Sequence, residues 1–455
     1  MAQPGNRPTS GQNPQTRNPY FDALRAGALL VVVLGHWVAT LPRFGPGDTL
    51  ETEHLLQLWA PAAFFTWAVQ VVPLFVFVSA AVSAGGVEQR MTQGAGQAHP
   101  QLHWWAGRAL GLARPTLTYL VAIAGFALIA LYTSERLLEP FNQSLTVHLW
   151  FLLMLLGVQA MLPLCVAADR HWGLGAVVGL ILAAALIDIL RAAPTSPWQL
   201  LQLGERVTDA PIGVGLVNGV LVWLLPQQLG IAWKQGRFRG AWTGVGLLIL
   251  GGLWLTGAIA SGYPVGMVGQ DLHGDSNMLP PTLALIGVMW LQVGAVLVCE
   301  RPGLWLLDRR GVARGVSMVS ALGLPLYLWH KLAELPAIWL GERLGLPLDA
   351  GLPGEEGFWI GRLWWLGLCT AMVIPVIALV AAFEMHRKTH VAQTRRKRAT
   401  LAGGFALLAG LVVALALGAM PGALIGMLGV AAASWWLRAH PQPERSRKAR
   451  SEGAN

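Results

Sequence analysis

The sequence is poor in charge and in cysteine. Charged residues make up 12% of its 455 positions, about half the share of an ordinary soluble protein. That scarcity, beside 54% hydrophobic residues and 21 tryptophans and a mean hydropathy of +0.52, excludes the soluble globular class and leaves a polytopic integral membrane protein. Cys165, Cys299 and Cys369 fall within or at the ends of apolar runs, with no CxxC and no paired spacing. Neither a disulfide framework nor a zinc site is expected. No internal repeat marks the inverted halves common in secondary transporters, which weighs against transport. No soluble segment carries a basic face for nucleic acid, so the net charge of +9 has another origin.

Apolar segments are present near residues 24–42, 58–84, 112–132, 145–167, 174–191, 211–230, 241–260, 281–299, 316–341, 358–385, 400–418 and 421–437. Most are long enough to cross a hydrocarbon core of about 30 Å; the last two are short and rich in Ala, Gly and Leu. The pattern predicts an all-α fold, a polytopic transmembrane helical bundle with a ten-helix core and a short C-terminal helical pair. We divide the chain into a disordered cytoplasmic N-terminus (1–19), a membrane domain (20–386), a basic cytoplasmic linker (387–399), two further transmembrane helices (400–438) and a basic tail (439–455). The first nineteen residues are too polar for a signal-peptide core, and no clear small-residue cleavage site follows 26–35, so the first span is expected to stay uncleaved.

The positive charge maps onto alternate loops. With the N-terminus in the cytoplasm, the clusters Lys234/Arg237/Arg239, Arg301/Arg309/Arg310/Arg314, Arg387/Lys388 with Arg395 to Arg398, and Arg445/Arg447/Lys448/Arg450 all fall on that side. Opposite loops hold scattered Arg43, Arg136, Arg191, Arg206 and Arg343, mixed with Asp48, Glu51, Glu53, Asp271, Asp275, Glu355 and Glu356. Both termini are therefore expected in the cytoplasm. The Arg395 to Arg398 run suits anionic membrane lipids, and Trp104-Trp105, Trp364-Trp365 and Trp435-Trp436 suit interfacial anchoring.

Against that background the ionisable residues inside spans stand out. Arg25 and His36 share the first span, roughly 16 Å apart along a helix, which places the first near the cytoplasmic interface and the second near mid-bilayer. Asp22 and Arg25 are three apart and can form a local ion pair. A buried imidazole such as His36 is either a hydrogen-bonded structural group or a general base. The fourth span opens His148-Leu-Trp150-Phe151, with His148 near the outer boundary, where an interfacial role competes with a chemical one. The ninth contains Tyr327-Leu-Trp329-His330-Lys331, with Glu334 positioned to pair with Lys331. Asp188, Asn218, Glu384 and His386 lie at span ends and are read as structural.

These residues carry a resemblance. The Arg25-x10-His36 spacing, Phe65-Thr66-Trp67 through Pro73 to Val78, the His148-Leu-Trp-Phe-Leu run, the stretch Gly262 to Val268 through Ser276 to Leu283, and Leu326-Tyr-Leu-Trp-His330 resemble the acyltransferase-3 family of membrane O-acyltransferases, in its actinobacterial form. With these five ordered blocks the resemblance covers the chain from about residue 18 to 385, and it implies a bacterial cytoplasmic (inner) membrane as the location.

The resemblance implies transfer of an acyl group, usually acetyl, from cytoplasmic acyl-CoA to a hydroxyl of an envelope carbohydrate, glycolipid or similar acceptor, with acyl-CoA as co-substrate and no tightly bound cofactor or metal. It implies His36, Arg25 and His330 as catalytic, His36 acting as base or carrying the acyl group. Asp22, Arg108, Arg114, His148, Trp150, Asn277, Trp329 and Lys331 are implied in substrate binding. Arg25, Arg108 and Arg114 would meet the donor's phosphates; His330, Lys331 or Asn277 would hold the oxyanion. Family members often carry R-x-x-R on the loop after the second span, whereas here Arg108 and Arg114 stand six apart, and the positive-inside rule alone would account for them. No soluble hydrolase-like domain is expected after the membrane core. Two other classes remain: a proton-coupled transporter or flippase using Asp22, Arg25, His36 and His330, and a non-catalytic scaffold recruiting a partner through its basic tail.

Overall fold

A computed structural model describes residues 18–45, 49–93, 100–133, 141–192, 215–269, 276–349, 351–385 and 397–438. The N-terminal segment before residue 18, most of the 387–399 linker and the tail from 439 lie outside the described residues, as does His386.

The first span, α1, is Pro19–Ala39. Asn18 caps it by accepting the Tyr20 N–H, and Pro19 takes the first turn, where a missing N–H loses no helical bond. After Ala39 the chain becomes extended and forms an antiparallel ribbon of β1 (Thr40–Gly45) and β2 (Thr49–His54), in register Thr40 to His54. The ribbon leads through a short α2 (Leu55–Leu58) and α3 (Ala62–Val69) into α4 (Val72–Gln93). The break between α3 and α4 carries Gln70, whose amide donates to the Met267 carbonyl at 2.9 Å.

The next helix, α5, is Pro100–Thr133, 34 residues or about 50 Å long. Arg108, which lies before the apolar segment 112–132, is therefore on the same helix as Arg114 and not on a loop. Hydropathy sees only the part of a helix that lies in hydrocarbon, and the mixed sequence from Gln101 to Arg114 continues the same helix beyond it. The fourth span is broken into α6 (Ser144–Val147), α7 (Trp150–Ala160) and α8 (Leu162–Trp172), with a bend of 48°. There follow α9 (Leu174–Ala192), α10 (Asn218–Lys234), α11 (Ala241–Ala260) and α12 (Ala284–Leu307). The ninth span is also bent, by 59°, between α13 (Arg310–Ala321) and α14 (Gly323–Trp329), and is continued by α15 (Glu334–Arg343). The chain closes with α16 (Phe358–Met385), α17 (Lys397–Leu417) and α18 (Leu424–Trp436).

Among the described residues eight helical stretches are long and apolar enough to cross a membrane, ten with each bent pair taken as one span. The last of the eight turns back on itself at Met420 (φ −138°, ψ 124°) and is a hairpin of α17 and α18. The 17-residue α10 adds another apolar helix. Within the described residues every apolar segment is thus mostly helical, 58–84, 145–167 and 316–341 as broken or bent helices, and the protein is a multi-pass helical bundle.

Small residues let the closest helices meet. A Cβ on Gly244 would stand 2.7 Å from the Gly294 carbonyl, and one on Gly426 2.6 Å from that of Gly410, so α11 against α12 and α17 against α18 touch backbone to backbone. The α17–α18 turn is fastened to the core by Asn142, which accepts from Ala419 N and Met420 N. Two apolar clusters fill the bundle. One gathers α5, α7 and α14 to α18; the other gathers α4 and α8 to α12. α1 belongs to both, with Trp37 in the first and Tyr20 in the second, where its hydroxyl donates to the Val296 carbonyl.

Candidate active site

His36 occupies the last turn of α1, and His330 caps the C-terminus of α14. Their rings stack with centroids 5.0 Å apart, and His36 Nδ1 lies 2.8 Å from His330 Nε2. The other nitrogen of His330, Nδ1, is 2.7 Å from the Tyr327 carbonyl. A carbonyl only accepts, so Nδ1 of His330 carries the proton, its Nε2 is the acceptor, and the shared hydrogen comes from His36 Nδ1. That leaves His36 Nε2 with a lone pair. His330 is fully buried while His36 is partly exposed, so the free lone pair belongs to the accessible ring. A neutral, oriented imidazole with an available lone pair can take a proton from a hydroxyl.

The dyad is clamped from behind. The Trp37 indole donates to the His330 carbonyl at 3.1 Å, and the Trp365 indole to the Trp37 carbonyl at 2.7 Å. Residues 18–382, which contain this site entirely, match the family model of an acyltransferase domain.

The chain belongs to the acyltransferase-3 family.

This acyltransferase also resembles, over a shorter stretch, a protein named Na(+)/H(+) antiporter NhaA 2 from Kineococcus radiotolerans: 30% identity over 192 residues, 42% of this chain and 40% of that protein. The chain thus aligns with less than half the length of that relative. No solved structure matches the acyltransferase.

Several expectations about the site need correction. His36 stands near the C-terminal end of α1, which runs from Pro19 to Ala39, one turn from the ribbon. His148 is buried, edge-on to His330 with centroids 5.4 Å apart, and so belongs to the wall of the site and not to an interface. Its backbone carbonyl accepts the Tyr327 hydroxyl. Trp329 stands in the same wall against Tyr119, centroids 5.5 Å apart. Trp150 does not join them: its ring faces Trp223, 5.8 Å away, in the other apolar cluster.

Lys331 has no donor to spare for an oxyanion. Its ammonium is engaged by Glu334 Oε1 and Oε2 at 2.7 and 2.8 Å and by Thr40 Oγ1 at 3.1 Å. A buried ammonium needs such partners, and the carboxylate, itself fully buried, needs the ammonium. Asn277 is likewise committed: its amide donates to Pro264 O at 2.6 Å and Gly266 O at 2.9 Å, and its oxygen accepts from Thr282. It shapes the α11–α12 loop and does not reach the dyad.

At the other end of α1, Arg25 pairs with Asp22 at 2.6 Å. Arg108 donates to Ser83 Oγ at 2.7 Å, lies over the Trp104 ring, and is within electrostatic range of Arg25. Arg114, two turns further along α5, is half-buried.

Three further residues, beyond those nominated from the sequence, surround the dyad. Thr40 is a hub whose hydroxyl donates to the His36 carbonyl and accepts from Lys331, and whose carbonyl accepts from Arg362 at 2.7 Å. Arg362, buried on α16, donates also to the Leu348 carbonyl at 3.1 Å. A lone arginine inside the apolar run 358–385 was the signal for it. His54, on the ribbon, had no signal, because only the strand register brings it opposite Thr40. Among the described residues no group of three His, Cys, Asp or Glu is arranged to hold a metal ion.

Proposed function

We propose that this acyltransferase moves an acyl group, in the first instance acetyl, from cytoplasmic acyl-CoA to a hydroxyl of an envelope carbohydrate or glycolipid, with His36 as general base. The observation that carries the reading is the hydrogen-bond relay from His36 through His330 to the Tyr327 carbonyl, which leaves His36 Nε2 as the basic atom. The acceptor hydroxyl gives its proton to Nε2 as its oxygen attacks the thioester carbon. The C–S bond then breaks, and the imidazolium returns the proton to the departing CoA thiolate.

In this reading the chain lies in a bacterial cytoplasmic membrane with both termini inside, an orientation that the charge map supports. In that orientation Arg25 and Arg108 face the side of the donor and suit its phosphates, while His36 lies roughly 16 Å away along α1. The extended pantetheine arm of CoA covers such a reach. Acyl-CoA is a co-substrate; no tightly bound cofactor enters the scheme. Membrane lipids are the remaining partner, at the basic cytoplasmic clusters.

Purified protein in lipid nanodiscs, given acetyl-CoA with water standing in for the acceptor hydroxyl, should release acetate and CoA, and His36→Ala should abolish the release. Mass spectrometry of envelope glycans and lipids in cells with and without the gene should reveal an acetyl-sized difference on one species. The antiporter-named relative prompts a second reading, proton-coupled movement of an envelope precursor through the same polar residues. That reading requires substrate movement with no CoA release.

A further inference from the structure

Acyl transfer through a tetrahedral intermediate needs a hydrogen-bond donor aimed at the developing oxyanion. The donors nominated from sequence are committed elsewhere: Lys331 to Glu334 and Thr40, Asn277 to its own loop, and the one N–H of His330 to the Tyr327 carbonyl. The ribbon after α1 brings another. Its register sets His54 opposite Thr40, and the Thr40 hydroxyl is bonded to the His36 carbonyl one turn back. His54 is thereby held beside the end of α1 that carries the base, within electrostatic range of both His36 and Lys331.

The protonation of the His54 ring is decided by its neighbour. The Leu56 N–H donates to His54 Nδ1 at 3.3 Å, where His54 caps the short α2. A nitrogen that accepts carries no hydrogen in the neutral ring, so the proton of His54 is on Nε2. The ring is partly exposed, and Nε2 is free of the capping bond. From these relationships we propose that His54 Nε2–H is the oxyanion donor, facing the bare Nε2 of His36 across the reacting thioester. The inference rests on the acyl-transfer reading above.

In the step itself, the acceptor oxygen bonds to the thioester carbon as its proton passes to His36, and the carbonyl π pair moves onto oxygen, where the His54 N–H holds it. Collapse restores the carbonyl and expels CoA, which takes the proton from His36. His54 keeps its own proton throughout. Burial and the Lys331 ammonium push the His54 imidazole down to about 4, so it enters neutral and remains a donor at physiological pH. A neutral imidazole acting as electrophile is established enzyme chemistry.

The capping bond allows the two roles of His54 to be separated. Asparagine is a favoured N-cap and keeps an acceptor for Leu56 N–H, but it has no N–H where imidazole Nε2 stands. Glutamine reaches the Nε2 position with an amide and gives up the cap. CoA release from acetyl-CoA by the full chain in nanodiscs, with the melting midpoint of each variant, is the measurement. His54→Asn should keep the wild-type midpoint and lose about 10²- to 10³-fold in kcat, with KM for acetyl-CoA within about twofold. His54→Gln should be at least about tenfold faster than His54→Asn. Wild-type kcat in His54→Asn, in a protein whose CoA release still depends on His36, overturns this inference alone and leaves His54 a cap. Equal losses in both variants with lowered midpoints overturn it as well. No release by the wild type, or release that survives His36→Ala, overturns the acyl-transfer reading and this inference together.

Discussion

His36 and His330 stand 294 residues apart in the chain and meet at 2.8 Å, the first donating to the second. The bond has a direction because the Tyr327 carbonyl admits only one tautomer of His330. The second histidine thus does for the first what a carboxylate does in a hydrolase triad: it selects the tautomer and holds the ring, without carrying charge of its own.

That dependence predicts a non-additive pair. His330→Ala should lower kcat for CoA release by about 10²- to 10⁴-fold with little change in KM, since the base loses its orientation and not its substrate. Combining it with His36→Ala should cost no more than His36→Ala alone. Additive losses in steady-state kinetics would mean that the two rings act separately.

Lys331 and Glu334 should behave as a unit of the frame. Lys331→Met leaves a fully buried carboxylate without its ammonium and should destabilise the protein by about 3–5 kcal/mol. Lys331→Met with Glu334→Leu should recover most of the loss. Chemical unfolding in detergent reads both; an equally unstable double variant would refute the pairing argument.

The backbone contact between α17 and α18 makes Gly426 sensitive. A Cβ there would stand 2.6 Å from the Gly410 carbonyl, whereas one on Gly252 meets nothing within 4 Å. Gly426→Val should cost about 1–3 kcal/mol by overpacking, and Gly252→Ala should lie within about 0.5 kcal/mol of wild type. Thermal midpoints of the two variants, measured side by side, check the contrast.

His54 gives stability a dependence on pH. Its folded value of about 4 lies below the ordinary 6.5, so between those values the unfolded chain binds the proton more readily than the native one. Its contribution is fully present above 6.5 and is lost as pH falls through the window towards 4. The melting midpoint of the wild type should therefore drop further between pH 6.5 and 4 than that of His54→Asn, in which no group titrates at this position. Parallel curves for the two proteins would contradict it.

Hydropathy and charge by themselves determined the solvent, the bundle and the identity of most polar residues inside it. A span in lipid must be apolar for its full width and must satisfy its own backbone bonds, so each apolar run can only be a helix. An ionisable residue within such a run is conspicuous, as Arg25, His36, His330 and Lys331 are, and Arg362 in the run 358–385 stands out by the same test. Only the tertiary structure decided what each of them touches. Composition presents Lys331 and Asn277 as free donors; packing hands their hydrogens to Glu334, Thr40 and loop carbonyls. His54, on a polar ribbon that hydropathy reads as a loop, comes opposite Thr40 only through strand register. Which nitrogen of His36 is basic depends on a carbonyl on a distant helix, and hydrogen-bond direction is a property of the assembled site that no local pattern of residues encodes.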